Sequence, residues 1–208
     1  EFLMVIPFDT NKQQSYGGTT FLTVGALAET DIKADGAING STDAWGGVRI
    51  DASYVEKFFK VENVDFEKGT YDCADERGKM FYIKGRESGS IPSKNELYNF
   101  QYGWSCIKFS NIPHDQTKAQ FEANALQTFA NVDLPIVRLG EIYLIYAEAC
   151  CHLGEGATAQ PKMNDLAQRT GVPALTVPTS WDNAARDMFM EERARELLWE
   201  SCRRTDLI

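Results

Sequence analysis

From Asp133 to Gly156 the chain reads "DLPIVRLGEIYLIYAEACCHLGEG", an apolar stretch at three- and four-residue spacing. Only a helix collects such positions on one face. Ile136, Leu139, Tyr143, Tyr146, Cys150 and Leu153 make the expected inward stripe. Ile142, Leu144 and Ile145 widen it, so this helix is expected to be covered on more than one side. Pro135 fits a first helical turn, where its missing N–H costs little, and Gly154 fits the residue just past the end. Residues 158–170 read as a second helix, with Met163, Leu166 and Ala167 inward and Gly171 as its stop. The two are expected to form an antiparallel hairpin. "SWDNAARDMFMEERARELLWESCRR" predicts a long third helix with Ser180 as its N-cap. Met188, Met190, Leu197, Leu198 and Cys202 fall on its apolar side, and Glu191–Arg195 and Glu200–Arg204 stand at ion-pair spacing.

Before about residue 119 the pattern is different. Short apolar runs are broken repeatedly by Gly, Ser, Asn and Asp. "EFLMVIPF" reads as a buried strand or extended segment, while "KMFYIKG" and "SCIKFSN" read as short strands. "DASYVEKFFKV" places Tyr54, Val55, Phe58 and Phe59 on one helical face behind Asp51 or Ser53 as cap. "SYGGTT" and "NGSTDAWGG" read as loops. Loops of this length usually carry function or lean on something else. The expectation is one domain, loop-rich over 1–118 and a helical scaffold over 119–208.

Composition sets outer limits. A net charge of −9 over 208 residues argues against nucleic acid, which demands a basic face. The hydrophobic share of 43% suits a packed core. Five cysteines without CxxC spacing read as reduced or buried thiols. No apolar run reaches the ~18 residues of a membrane-spanning helix. The start at Glu1 without methionine, and "RRTDLI" at the other end without a cap, lead us to expect a piece of a longer protein.

Three segments in order, "LPIVRLGEIYLIYAEACCHLGEG", "MNDLAQRTGV" and "EERARELLWESCRRTDLI", resemble the C-terminal motifs of the SusD/RagB family. Pro135, Arg138, Glu141, Tyr146, Glu148, Asn164, Arg169, Gly171, Glu192, Arg193, Glu196, Glu200, Arg203 and Asp206 fall on its motif positions. Gly140 stands where the family usually has alanine, Ser201 where it has glycine, and Thr170 where alanine is common. The resemblance implies a mainly α fold of tetratricopeptide-type helix pairs with long irregular loops and a few short strands. It implies a cell-surface, outer-membrane lipoprotein that binds glycan or another nutrient. It further implies delivery to a TonB-dependent outer-membrane transporter of SusC type, with the lipid anchor and remaining scaffold helices before Glu1. The Arg and Glu motif residues read first as ion pairs that lock helices together.

Sugar rings present a face of C–H groups to an exposed aromatic ring, with polar side chains taking the hydroxyls. The loops supply candidates of this kind: Trp45 with Asp43 and Arg49, Tyr16 beside two glycines, and Tyr102 with Trp104 in "NFQYGWS". The alternative for each ring is to pack a loop onto the scaffold. Catalysis is not expected. His114 and His152 have no nucleophile at useful spacing, and Glu192 and Glu196 share a helix face with arginines. No zinc-site, EF-hand or phosphate-loop motif is present, so no cofactor is expected and no metal ligands are assigned, although some acidic loops could hold calcium. The remaining alternative is a helical module that binds another protein and has no small-ligand site of its own.

Overall fold

A computed structural model describes residues 2–12, 14–36, 38–113, 115–122 and 128–207, so His114 lies outside the described residues. The fold is helix-rich with short strands. In chain order the elements are β1 (Phe2–Ile6), α1 (Thr19–Val24), α2 (Glu29–Asp35), α3 (Ala52–Phe59), β2 (Glu62–Asp65), β3 (Thr70–Asp72), β4 (Phe81–Tyr82), β5 (Ser105–Cys106), α4 (Lys118–Glu122), β6 (Leu134–Arg138), α5 (Leu139–His152), α6 (Gly156–Ala167), α7 (Asn183–Glu196) and α8 (Arg203–Asp206). Among the described residues the strands make three antiparallel pairs: β1 with β6, β2 with β3, and β4 with β5.

Two cores form. The first gathers around α3, where Val55, Phe58 and Phe59 meet Phe81, Ile83, Trp104 and Leu198. Its helix begins where expected, because Asp51 accepts the Ser53 N–H at 2.9 Å. The second lies between α5, α6 and α7 and contains Leu144, Ala147, Cys150, Met163, Leu166 and Phe189. The chain from Asn183 to Leu198 joins them. Ala185 and Phe189 enter the second core, while Ala194 and Leu198 enter the first.

Several expectations are corrected here. Pro135 is not in a first helical turn. Residues 134–138 extend as β6, with Pro135 opposite Val5, and α5 starts only at Leu139. The buried side of α5 is Gly140, Leu144, Ala147 and Cys150–Cys151, rotated from the expected stripe. Ile142, Ile145, Tyr146 and Leu153 face outward, and so do Phe2, Leu3, Met4 and Ile6 of β1, which is not buried. The second helix ends at Ala167, short of Gly171. Asp182, not Ser180, caps α7, taking the Ala185 N–H at 2.8 Å. The expected long third helix also breaks early: α7 ends at Glu196, and the backbone turns left-handed at Trp199 and Ser201. Glu200 is thereby carried to Arg138 and Lys108, and Arg195 bonds Glu192.

Gly140 allows a close approach at this junction. A Cβ there would sit 2.5 Å from Arg138 Nη1 and 3.0 Å from Glu196 Oε1. Arg77, Arg138 and Arg169 all reach the Glu196 carboxylate, and Arg77 also holds Asp75 and Glu192. The family-motif residues Arg138, Arg169, Glu192, Glu196 and Glu200 therefore bind each other, Arg77 and Lys108, as helix-locking pairs do.

Candidate ligand-binding site

Trp45 hangs on the end of α1 through its backbone. Its N–H donates to Val24 O at 3.1 Å, and the Gly46, Gly47 and Val48 N–H groups donate to Leu27, Gly25 and Gly25 at 2.8–2.9 Å. Val24, Ala26 and Leu27 are fully buried, so an irregular loop is fixed to solid core. Gly46 has φ 59°, a left-handed turn that glycine adopts without penalty. This explains how "TDAWGG" holds a large ring at the surface: the glycines turn the backbone onto α1, and the indole is left outside.

The ring itself is oriented. Trp45 Nε1 donates to Asp43 Oδ2 at 3.2 Å, while Asp43 Oδ1 accepts the Ala44 N–H at 3.0 Å. Asp43 is fastened in turn by Ser41, whose hydroxyl bonds its carbonyl at 3.0 Å. Trp45 remains 37% exposed and Tyr16 64% exposed. Tyr16 precedes α1 by three residues, so the two rings approach from opposite ends of one short helix. Their centroids are 5.8 Å apart and tilted by 51°.

A third ring was not foreseen. Phe129 lies 5.0 Å from Tyr16, its ring tilted by 56°. Thr20 of α1 accepts the Ala130 N–H at 2.9 Å, and Asn111 donates to Phe129 O at 3.3 Å, fixing this segment. The sequence signal was slight, one phenylalanine in the polar run "QTFANVD". Its pairing with Tyr16 is a long-range contact that local pattern does not encode.

The other expected site residues separate. Arg49 Nη1 donates to Leu97 O, and Nη2 donates to Glu96 O and Asn99 O, all at 2.9–3.0 Å. Its guanidinium also covers the Phe100 ring at 4.7 Å. Arg49 thus clamps the 96–100 loop beside the Trp45 segment. Trp104 is corrected outright. It is 1% exposed, bonded both ways to Ile50, and packed edge-on against Tyr71 and Phe81 in the first core. Tyr102 is half-buried, and its hydroxyl is raised in pKa by its hydrogen bond to Glu87.

Chemistry elsewhere is subdued. Glu192 and Glu196 are engaged by arginines, His152 stacks on Trp181 at 3.9 Å, and burial pushes the Cys106 thiol up to about 12. Among the described residues no group of three or more His, Cys, Asp or Glu is placed to hold a metal ion. No helix among them is long and apolar enough to cross a membrane.

Comparison with known proteins agrees with the C-terminal reading. A family model described as "SusD family" matches residues 65–208. The chain is similar to the starch-binding protein SusD of Bacteroides thetaiotaomicron, 25% identical over 238 aligned positions. That match takes in all of this chain and 40% of the relative, so the chain spans well under half its length.

Proposed function

This chain belongs to the SusD family, and on that premise we propose that it is a non-catalytic glycan-binding polypeptide whose Trp45–Tyr16–Phe129 cluster receives the carbohydrate. The observation that carries this is the exposure of two rings held in fixed orientation on a core helix. Leaving such rings in water is unfavourable, and an apolar sugar face relieves that exposure at little ordering cost. Asp43 stands beside the indole, where a sugar hydroxyl can reach its remaining acceptor capacity. The relative's printed name, a starch-binding protein, makes α-linked gluco-oligosaccharide the first ligand to test.

In this reading the helices of the C-terminal part are tetratricopeptide-type pairs that carry the loops. The whole protein sits at the outer membrane, facing outward on a lipid anchor outside this chain, and passes glycan to a SusC-like TonB-dependent transporter. A second reading, a protein-interaction module, is favoured by one observation: Ile142, Ile145, Tyr146 and Leu153 form an uncovered apolar side of α5. The two roles use different surfaces and are compatible.

Titration calorimetry with maltoheptaose and with manno- and xylo-oligosaccharides tests the proposal. We expect at least one series to bind, and Trp45→Ala to weaken it by about tenfold or more, roughly the worth of one stacking contact. Unchanged affinity in Trp45→Ala removes the ring cluster from the site. No binding to any series leaves the interaction module as the surviving reading.

A further inference from the structure

We propose that the glycan site has a second, walled compartment next to the Trp45 platform, taking the further sugar units of a neutral oligosaccharide; this rests on the glycan-binding reading above. The compartment is a cavity of about 490 Å³ bounded by Ala34 of α2, Tyr82, Lys84, Arg86, Phe100 and Gln101. Its size lies within the roughly 300–1,000 Å³ of small-molecule sites.

Continuity with the platform is structural. Phe100, one wall, is the side chain facing Gly46, where an added Cβ would lie 3.5 Å from the ring. Ala28, also part of the lining, follows Leu27, whose carbonyl accepts the Gly46 N–H at 2.8 Å. The residue after Trp45 thus adjoins Phe100 and the residue before Ala28, and Phe100 and Ala28 both line the cavity. A chain of sugars leaving the indole has this hollow as its neighbour.

The lining selects against negative charge. Arg86 is 6% exposed and bonds Asp31 through both terminal nitrogens at 2.6 and 2.7 Å, with the Tyr82 and Phe100 rings flanking it at 5.8 and 5.3 Å. Lys84 bonds Asp35 at 2.5 Å, and the same carboxylate accepts the Tyr82 hydroxyl at 3.2 Å. The cations of the lining are therefore matched by carboxylates, and a uronate or sulfate would find no unopposed positive charge. Ring surface remains, with the exposed side chains of Gln101, Thr30, Glu29 and Glu67, a combination suited to C–H faces and hydroxyls. Arg49 holds the Glu96, Leu97 and Asn99 carbonyls, so the Phe100–Gln101 wall is already in place before any ligand arrives. A larger hollow, about 860 Å³ beside Thr70–Cys73, offers less. The hydroxyl of its one half-exposed ring, Tyr71, is engaged by Gly78 O and Phe81, and charged Lys60, Glu62, Asp72 and Lys79 surround it.

Calorimetric titration with neutral gluco-, manno- and xylo-oligosaccharides of increasing length tests the compartment. The variants are Ala34→Leu, which fills the cavity from an exposed helix position, Gln101→Ala, which removes an amide partner, and Trp45→Ala. For the series that binds, affinity is expected to climb about tenfold from short to long oligomers, the order of one or two added polar contacts with apolar burial. Both cavity variants should flatten that climb and leave the shortest binder within about twofold of the parent. Circular dichroism melts confirm that each variant is folded. An equal climb in the cavity variants, with Trp45→Ala still defective, overturns the compartment and leaves the platform standing. Failure of every series to bind the parent chain overturns both.

Discussion

Arg138 and Glu196 lie 58 residues apart in the chain, yet Arg138 Nη1 approaches Glu196 Oε1 to 2.6 Å. The Glu196 side chain is fully buried, and Arg77 reaches its other oxygen at 3.0 Å from the turn between β3 and β4. One carboxylate thus ties β6, α7 and the Arg77 turn together. Glu196→Gln should destabilise the fold by about 3–5 kcal/mol, the usual result of stranding buried charge. A urea titration reads this as a lower midpoint at unchanged slope. A loss under ~1 kcal/mol would mean that the cluster relaxes onto its other carboxylates.

The same carboxylate gives the acid limb of stability a definite sign. Burial works to raise its pKa, but Arg138, Arg169 and Arg77 outweigh burial and hold it below the ordinary 4.5. A carboxyl lowered in the folded state contributes stability above its unfolded pKa and loses it as pH falls through the folded value. Urea midpoints should therefore decline only below about pH 4.5, and less steeply in Glu196→Gln. A decline that begins near neutrality would point to a different group.

Ser201 has φ 65°, in the left-handed region, at the turn that ends the last long helical stretch. Serine is strained there by about 1 kcal/mol, and glycine is not. The family's usual glycine at this position has its reason in this backbone. Ser201→Gly should raise the thermal midpoint by about 1–4 °C for a chain of this size. A lowered midpoint would show that the Ser201 side chain holds the turn.

The helices were readable from spacing, but their faces and ends were less so. On α5 the apolar residues surround most of the cylinder, so the pattern could not say that Leu144 and Ala147 go in while Tyr146 and Leu153 stay out. Pro135 suited a helix start locally, and pairing with Val5, far away in sequence, made it a strand instead. The break after α7 follows from Glu200 meeting Arg138 and Lys108. In the loops, glycine and polar clusters identified Trp45 and Tyr16 as surface rings. "NFQYGWS" has the same composition, yet the bridge of Trp104 to Ile50 buries its tryptophan. Composition marks a loop, and long-range backbone pairing decides which of its rings is sealed.

Arg49 supplies a prediction separate from ligand. Three of its donor contacts go to the carbonyls of Glu96, Leu97 and Asn99, a fork geometry that lysine does not reproduce. Arg49→Lys should speed amide hydrogen exchange across residues 95–101 by about tenfold without ligand, since one or two lost bonds lower local opening energy by roughly 1–2 kcal/mol. Exchange across Ala52–Phe59 should stay as in the parent. Unchanged exchange in the loop would mean that Phe100 packing alone fixes it.

Asp43 provides the sharpest test of whether orientation, and not mere presence, of the Trp45 ring matters. Its Oδ2 takes the indole N–H at 3.2 Å and its Oδ1 takes the Ala44 N–H at 3.0 Å. Alanine removes both acceptors, and the ring is then free to sample rotamers that a bound sugar must restrict again. That restriction costs about 1 kcal/mol, or roughly fivefold in affinity. Asparagine keeps one acceptor, and its carbonyl oxygen can face the indole. Asp43→Ala should therefore weaken oligosaccharide binding about fivefold, with Asp43→Asn recovering most of the loss. Equal losses in both variants would show that the carboxylate charge contacts the ligand directly, and no loss in either would leave the indole held by Tyr16 alone.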